Sequence, residues 1–476
     1  MTHKNSTPSR IFPAGSVPFS EIKKKSVYFI GIGGIGMSAL ARWFLAQKWA
    51  VSGSDVVESD ITRALEKEGV RVKIGQKRAH IGGTTGLFIY NQAISEKNEE
   101  RAEAEKKKAP LLSYAEAVGF LTRYYDTYAV AGAHGKSTTS SLLSLALVRA
   151  KKSPTVIVGT LLSEFGGKNF RKGSDRSLVL EADEFHGSFL NYAPQHAIIT
   201  NIDREHLDWY ERFENVQRAF LEFVKNMRPG GFLILNKDNA RLRSLAKKIT
   251  SICERKNITI VWYSLRDRDA EKVRRAMAHV SGTHMISNAY AAFLLARILG
   301  AKEKDILGAF RAYHGVWRRM EYKGKIKIQK SAVDIYDDYA HHPTEIATTL
   351  KGAREFFKKK NIICAFQPHQ EKRLSILFPE FIKAFDSVHA LFLFPVYRVA
   401  GREASAGAHT AENLARRIAA RKKIKELTYL EDFSMFLPFL INTGKDGKLP
   451  YRDSVLIMMG AGNINEETKK ILKKIK

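Results

Sequence analysis

One stretch leaves this chain few folds to choose from. The apolar run Tyr128-Ala129-Val130-Ala131 enters Gly132-Ala133-His134-Gly135-Lys136-Ser137-Thr138-Thr139, and the helix-forming run Ser140 to Leu147 follows at once. Strand, glycine turn and helix make a βα unit, whose strand needs parallel neighbours to bury both of its faces. The turn and the helix start together point several backbone N–H groups at one anion, which suits a phosphate. Gly135 allows close backbone approach, Lys136 supplies a charge for outer phosphates, and the Ser137 hydroxyl can meet Mg²⁺. The usual motif has glycine six positions before the lysine, which is Val130 here; with Gly132 instead, this is a shortened form.

The same pattern precedes and follows it. Ser26 to Ile30 reads as a buried strand and runs into Gly31-Ile32-Gly33-Gly34-Ile35-Gly36-Met37-Ser38; a helix continues through Leu40, Phe44 and Leu45. The next strand, Ala50 to Gly53, ends in Ser54-Asp55. This is half a Rossmann-like unit, and any nucleotide with a pyrophosphate satisfies its glycine turn, NAD or a nucleotide-sugar alike. Val70 to Ile74, Leu87 to Tyr90, a polar helix from Glu96 to Lys108 and a helix from Tyr114 to Arg123 complete the region.

Beyond the phosphate loop, a strand is expected over Pro154 to Thr160. Leu178-Val179-Leu180 ends in Glu181-Ala182-Asp183-Glu184, and His196 to Thr200 ends in a segment holding His206. Glu181 and His206 thus fall at the C-terminal ends of strands, the edge at which parallel sheets bind ligands; a carboxylate there, beside a phosphate loop, is the expected metal partner. Gly231 to Asn236 is one more strand, and Asn288 to Leu299 a core helix. Gly315 to Glu321 reads as a basic linker. A third series follows: Val333 to Tyr336, Ile362 to Phe366, Ala390 to Phe394 and Ser454 to Met459, each ending in polar, proline or glycine residues.

With 476 residues the chain should hold about two to four domains. No apolar run approaches the roughly 18 residues that suggest a membrane span. The first twenty residues lack an apolar core, so no signal peptide is expected, and residues 1–22 read as a loose extension. Two cysteines, Cys253 and Cys364, give neither a disulfide framework nor metal-ligand spacing, which fits a reducing cytoplasm. The net charge of +29 favours anionic partners. The lysines are scattered and no nucleic-acid-binding signature accompanies them, so no specific nucleic acid is expected, nor membrane insertion, nor an obligate protein partner.

Taken together, the glycine loop at 31–38, the phosphate loop, Glu181-Ala182-Asp183-Glu184, Gly282-Thr283-His284 with Asn288-Ala289, Arg318-Arg319, Asp337 to Glu345 and Phe366-Gln367-Pro368-His369 occur in an order that resembles the Mur ligases. The resemblance covers about residues 25 to 465. It implies an α/β chain of three domains: a Rossmann-like UDP-sugar-binding domain (1–124), a central phosphate-loop ATPase domain with a mostly parallel sheet (125–319) and a C-terminal Rossmann-like domain (320–476). The implied reaction joins L-alanine to the lactyl carboxylate of UDP-N-acetylmuramate through an acyl phosphate, giving ADP and phosphate, in cytoplasmic peptidoglycan precursor synthesis.

The resemblance also implies roles. Gly132, His134, Gly135, Lys136, Ser137 and Thr138 would hold the ATP phosphates, with His284 and Asn288 at the adenine and Arg319 and Asp338 reaching the nucleotide. Ser137, Glu181 and His206 would hold two Mg²⁺ ions. His341, His369 and Arg373 would handle the amino acid; with Lys136, Glu181 and His206 they make up the expected catalytic set. Gly33, Gly34, Ile35, Gly36, Met37, Ser38, Ser54 and Asp55 would bind the UDP moiety. An active site shared between domains, completed when they close, is a further implication. Gln370 stands where the family usually has arginine, which bears on amino-acid selectivity, and Asn236 to Gly282 is shorter than usual, so part of its β-structure should be missing. The alternatives are a muropeptide-recycling ligase acting on the same sugar nucleotide, a nucleotide-binding oxidoreductase and a nucleic-acid-binding ATPase.

Overall fold

A computed structural model of the chain describes residues 19–328, 331–398, 409–445 and 453–474. Three sheets account for the strands. The first holds β1 (Ser26–Ile30), β2 (Ala50–Asp55), β3 (Arg71–Ile74), β4 (Leu87–Tyr90) and β5 (Leu111–Ser113), all parallel, in the order β3-β2-β1-β4-β5. Val27 to Ile30 of the central β1 are buried on both faces, whereas the edge strand β3 alternates charged and apolar residues and is largely exposed.

The second sheet holds β6 (Asp126–Ala131), β7 (Thr155–Leu162), β8 (Lys168–Arg171), β9 (Ser177–Glu181), β10 (His196–Ile199), β11 (Phe232–Asn236) and β12 (Thr259–Tyr263). Its order is β12-β11-β10-β6-β9-β7-β8. β6 lies inside, parallel to β9 on one side and β10 on the other, with Val130 opposite Glu181 and Ala131 opposite Ile199. That register sets the phosphate loop between the residues that follow β9 and those that follow β10.

The third sheet holds β13 (Glu321–Ile328), β14 (Ser331–Asp338), β15 (Asn361–Phe366), β16 (Ala390–Leu393), β17 (Glu426–Tyr429) and β18 (Ser454–Met459), in the order β13-β14-β18-β15-β16-β17. β13 pairs antiparallel with β14, and the other strands are parallel. Asp338 and Phe366 both lie opposite Met459, so the segments after β14, β15 and β18 meet at one edge. The chain divides into two compact units, one of Met1–Ile202 with Glu214–Trp262 and the other of Asp203–Phe213 with Tyr263–Lys476. Among the described residues no helix is long and apolar enough to cross a membrane.

The structure departs from the sequence reading in three places. Residues 19–22 are not loose: the Phe19 ring packs against Trp43, Phe44 and Phe120 at centroid distances of 5.9, 5.1 and 5.3 Å, and Ile22 is buried. The rest of the expected extension, 1–18, lies outside the described residues. β8 is an antiparallel edge partner of β7 that lysine, asparagine and arginine disguise. β13 follows directly on the expected linker; its alternation buries Ile326 and Ile328 and leaves lysines outside, and the charge masks a period of two. In the shortened segment after Asn236, helices Ala246–Arg255 and Arg268–Ala276 flank the single strand β12.

Candidate functional site

In the first unit the phosphate loop is framed by residues that close β10. The His134 N–H donates to Asn201 Oδ1 (2.9 Å), while Asn201 Nδ2 and Thr200 Oγ1 donate to the His134 carbonyl (2.9 and 2.6 Å). Gly132 has φ 134°, and a Cβ there would stand 2.1 Å from Thr200 Oγ1, so no other residue fits this entry to the turn. Gly135 caps the helix Lys136–Arg149 with φ 84°, leaving the first-turn N–H groups to face an anion.

The chemistry gathers on this frame. Lys136 Nζ donates to Glu184 Oε2 (2.8 Å) and stands 3.5 Å from Asp183 Oδ1. Burial alone would lower its pKa, but Glu184 and Asp183 outweigh that and raise it, so the ammonium stays charged. Ser137 Oγ donates to Glu181 Oε1 (3.0 Å), and the Gly159 N–H donates to Glu181 Oε2 (2.8 Å). Burial raises the Glu181 carboxyl, against the pull of Lys136 and the Gly159 N–H. A half-buried carboxylate beside a hydroxyl is an all-oxygen donor pair, which fits a hard divalent cation. Thr138 is buried in the same helix.

The glycine loop of the first sheet is held from β2. The N–H groups of Gly31 and Ile32 donate to the Ser54 carbonyl (2.9 and 2.8 Å), and the Gly33 N–H donates to Asp55 Oδ2 (2.8 Å). Asp55 therefore braces the loop itself. Ser54 is fully buried, and its hydroxyl donates to Glu100, which also takes the Tyr28 hydroxyl (3.1 Å) and faces His80 Nδ1 (2.8 Å). Met37 and Ser38 are buried too; Ser38 Oγ accepts from Asn169 Nδ2 (2.9 Å). Of the residues expected at UDP, Gly33 to Gly36 stay at the half-exposed turn and helix start, while Met37, Ser38 and Ser54 face inward.

The second unit gathers a different set. Arg319 Nη1 lies 3.2 Å from Glu345 Oε1, and its guanidinium lies over the Tyr339 ring. Asp338 is buried and accepts from the N–H groups of Met320 (2.8 Å) and Ala340 (2.9 Å), so it shapes the turn that carries Arg319 and His341. Burial raises its carboxyl, and Arg319 opposes this. His341 Nδ1 donates to the Tyr339 carbonyl (3.0 Å), and Nε2 stands 3.8 Å from Glu205 Oε1. Burial, then Arg373, lowers the His341 pKa to about 4, so the ring is neutral at pH 7.

His369 stacks on Tyr397 at 5.6 Å and meets His341 edge-on at 5.8 Å. Gln370, at φ 67°, starts the helix Glu371–Ile376, whose first turn aims Arg373 back at His369 Nδ1 (3.4 Å). His206 begins the short helix Leu207–Tyr210 at φ 55°. His284 and Asn288 lie in the first two turns of the helix Thr283–Ile298, with the His284 ring folded over Gly282.

The structure brings Lys136, Ser137 and Glu181 together in one unit, and Arg319, Asp338, His341, His369 and Arg373 in the other; His206, His284 and Asn288 fall in the second unit, so the expected metal set of Ser137, Glu181 and His206 is divided between the two. Sequence reasoning passed over Thr200, Asn201, Glu205, His342 and Glu345. Thr200 and Asn201 could have been found, since they end the strand beside the phosphate loop. Glu205 and His342 become visible only when two distant segments are brought together.

Three family models match in succession: the Mur ligase family catalytic domain over residues 26–126, the Mur ligase middle domain over 130–296, and the Mur ligase glutamate ligase domain over 318–462. A UDP-N-acetylmuramate–L-alanine ligase of Clostridium kluyveri is 36% identical over 462 residues, spanning 94% of this chain and 97% of that protein. In fold the chain is similar to a UDP-N-acetylmuramate–alanine ligase from Thermotoga maritima (TM-score 0.75, 24% identity, 94% of this chain and 98% of that one). It is also similar to a murein peptide ligase from Psychrobacter arcticus (TM-score 0.68, 21% identity, the same shares). Matched in all three parts and aligned to a relative along nearly its whole length, the chain belongs to the Mur ligase family of ATP-dependent, amide-forming enzymes.

Proposed function

We propose that this enzyme joins L-alanine to the lactyl carboxylate of UDP-N-acetylmuramate with conversion of ATP to ADP and phosphate, in the making of peptidoglycan precursors. The observation that carries this reading is the 36% identity, over nearly the whole of both chains, with a relative named for that reaction. The phosphate-loop frame of Lys136, Ser137 and Glu181 suits it. The division of labour follows the domains expected at 1–124, 125–319 and 320–476.

A carboxylate is a poor acyl donor because oxide would have to leave. Transfer of the γ-phosphoryl group to a carboxylate oxygen gives an acyl phosphate and releases ADP. The amino group then attacks the acyl carbon, and phosphate departs with the oxygen it received. In this scheme Lys136 neutralises the moving phosphoryl group, and the first-turn N–H groups after Gly135 hold the phosphates in line. Ser137 and Glu181 would hold a Mg²⁺ ion, and His206 would offer a nitrogen to a second. Bound metal supplies charge neutralisation at the phosphates.

Gly33 to Gly36 carry the UDP diphosphate; His284 and Asn288 contact adenine, and Arg319 the nucleotide. Arg373 and His369 receive the amino acid. A neutral His341 adds no positive charge against the incoming ammonium group. ATP and sugar nucleotides are made inside the cell, so the cytoplasm is the site of action.

The test is ADP release by the purified protein with ATP, Mg²⁺ and UDP-N-acetylmuramate, with L-alanine, glycine, L-serine or an L-alanine-headed tripeptide as acceptor. Turnover with L-alanine ahead of the others is expected. Turnover with the tripeptide alone would transfer the assignment to a peptide-recycling ligase, and none with any acceptor would refute the reading.

A further inference from the structure

The segment Asp203–Phe213 carries a carboxylate that none of the roles above employs. Glu205 is 4% exposed. Arg373 Nη2 lies 3.3 Å from its Oε1, and His342 Nε2 lies 3.6 Å from its Oε2. His342 Nδ1 accepts the Thr344 N–H (3.2 Å), which puts the ring proton on Nε2, the side that faces Glu205. The segment is pinned on both sides of Glu205: Asp203 Oδ2 accepts from Thr344 Oγ1 (2.7 Å), and Arg204 Nη1 donates to Glu380 (2.9 Å).

Arg373 is the informative partner. Its side chain is 9% exposed, and among the described residues it bonds only Glu205 Oε1 and His369 Nδ1. A guanidinium has five N–H donors in a rigid fork, so an edge of it remains for a carboxylate. We infer that Glu205 is a positioning residue that holds Arg373 with this free edge presented to the α-carboxylate of the amino-acid substrate. The inference rests on the reading of Arg373 as a residue of the amino-acid end. Without Glu205 the long arginine side chain would sample many rotamers.

The experiment is steady-state kinetics of the full-length enzyme, its Glu205→Gln and Arg373→Lys variants and the double variant, with each substrate and Mg²⁺ varied in turn. Each single change should raise the KM for the amino acid about tenfold or more, with those for ATP and the sugar nucleotide within about twofold of wild type. The double variant should be no worse than Arg373→Lys by more than about twofold, because the two residues act as one device. Glu205→Asp, which keeps the charge, should recover part of the lost amino-acid affinity if Glu205→Gln folds poorly. An unchanged amino-acid KM, multiplying effects in the double variant, or a raised Mg²⁺ requirement alone would overturn the inference. The wild-type rate reads the ligase assignment and the variant-to-wild-type KM ratio reads the role of Glu205, so the two fail separately.

Discussion

Lys136 rests between Glu184 and Asp183, so its ammonium is charged and aimed before any phosphate arrives. Replacing it by alanine removes the charge that a phosphoryl group would meet. Turnover should fall by about a thousandfold or more, measured as ADP release, while unfolding in urea shifts by no more than about 3 kcal/mol for the lost charged hydrogen bond. Unchanged turnover would take Lys136 out of the chemistry. The neighbour of Asp338 behaves differently. Burial raises the Asp337 carboxyl to about 6, with the Thr468 hydroxyl donating to it at 2.5 Å. A carboxyl whose folded pKa lies above its unfolded value contributes stability that is fully present below the unfolded pKa of about 3.8 and is lost as pH rises through about 6. Asp337→Asn cannot ionise, so it should gain on wild type by about 3 kcal/mol between about pH 4 and pH 8. Urea titrations at the two pH values read this, and a pH-independent difference would contradict it. Lys136, Ser137 and Glu181 were legible in the sequence because each lies beside a strand end. The inward turn of Ser54 was not, because its partner Glu100 is far along the chain and its burial depends on Tyr28 and His80 closing around it.

Among the elements, the helix Ile35–Ala46 that follows the first glycine loop is tied to the second sheet. Arg42 is 4% exposed; it pairs with Glu68 (3.0 Å) and donates to Asn169 Oδ1 on β8 (2.6 Å), and Asn169 reaches back to Ser38. Removing one member of a buried charged network costs about 3–5 kcal/mol, because the remaining charge loses its partner. Arg42→Ala should lower the urea unfolding free energy by that order. A change under about 0.5 kcal/mol would mean that the network contributes nothing measurable. The element behind this tie, β8, is the one that the sequence hides best. Lys168-Asn169-Phe170-Arg171 has a single apolar side chain, and as an edge strand it needs no more. β13 was missed for the same reason: Ile326 and Ile328 alternate with lysines, and the charge masks their period of two. The internal strands were plain, since burial on both faces forces continuous apolar runs.

On the scale of the whole molecule, three sheets share one plan, with strands that end in glycine or polar residues at the edge where ligands bind. That plan was legible because glycine turns after apolar runs punctuate the sequence. The course of Asp203–Phe213 was not, since it leaves β10 in one unit and packs within the other, held by Asp203 on Thr344 and Glu205 on Arg373. The central claim is that the carboxylate is activated as an acyl phosphate before the amide forms. It is tested most directly with UDP-N-acetylmuramate carrying ¹⁸O in both lactyl carboxylate oxygens, with ATP, Mg²⁺ and L-alanine. The account predicts one ¹⁸O in the phosphate released for each amide formed, read by mass spectrometry. Amide formation with unlabelled phosphate would contradict it.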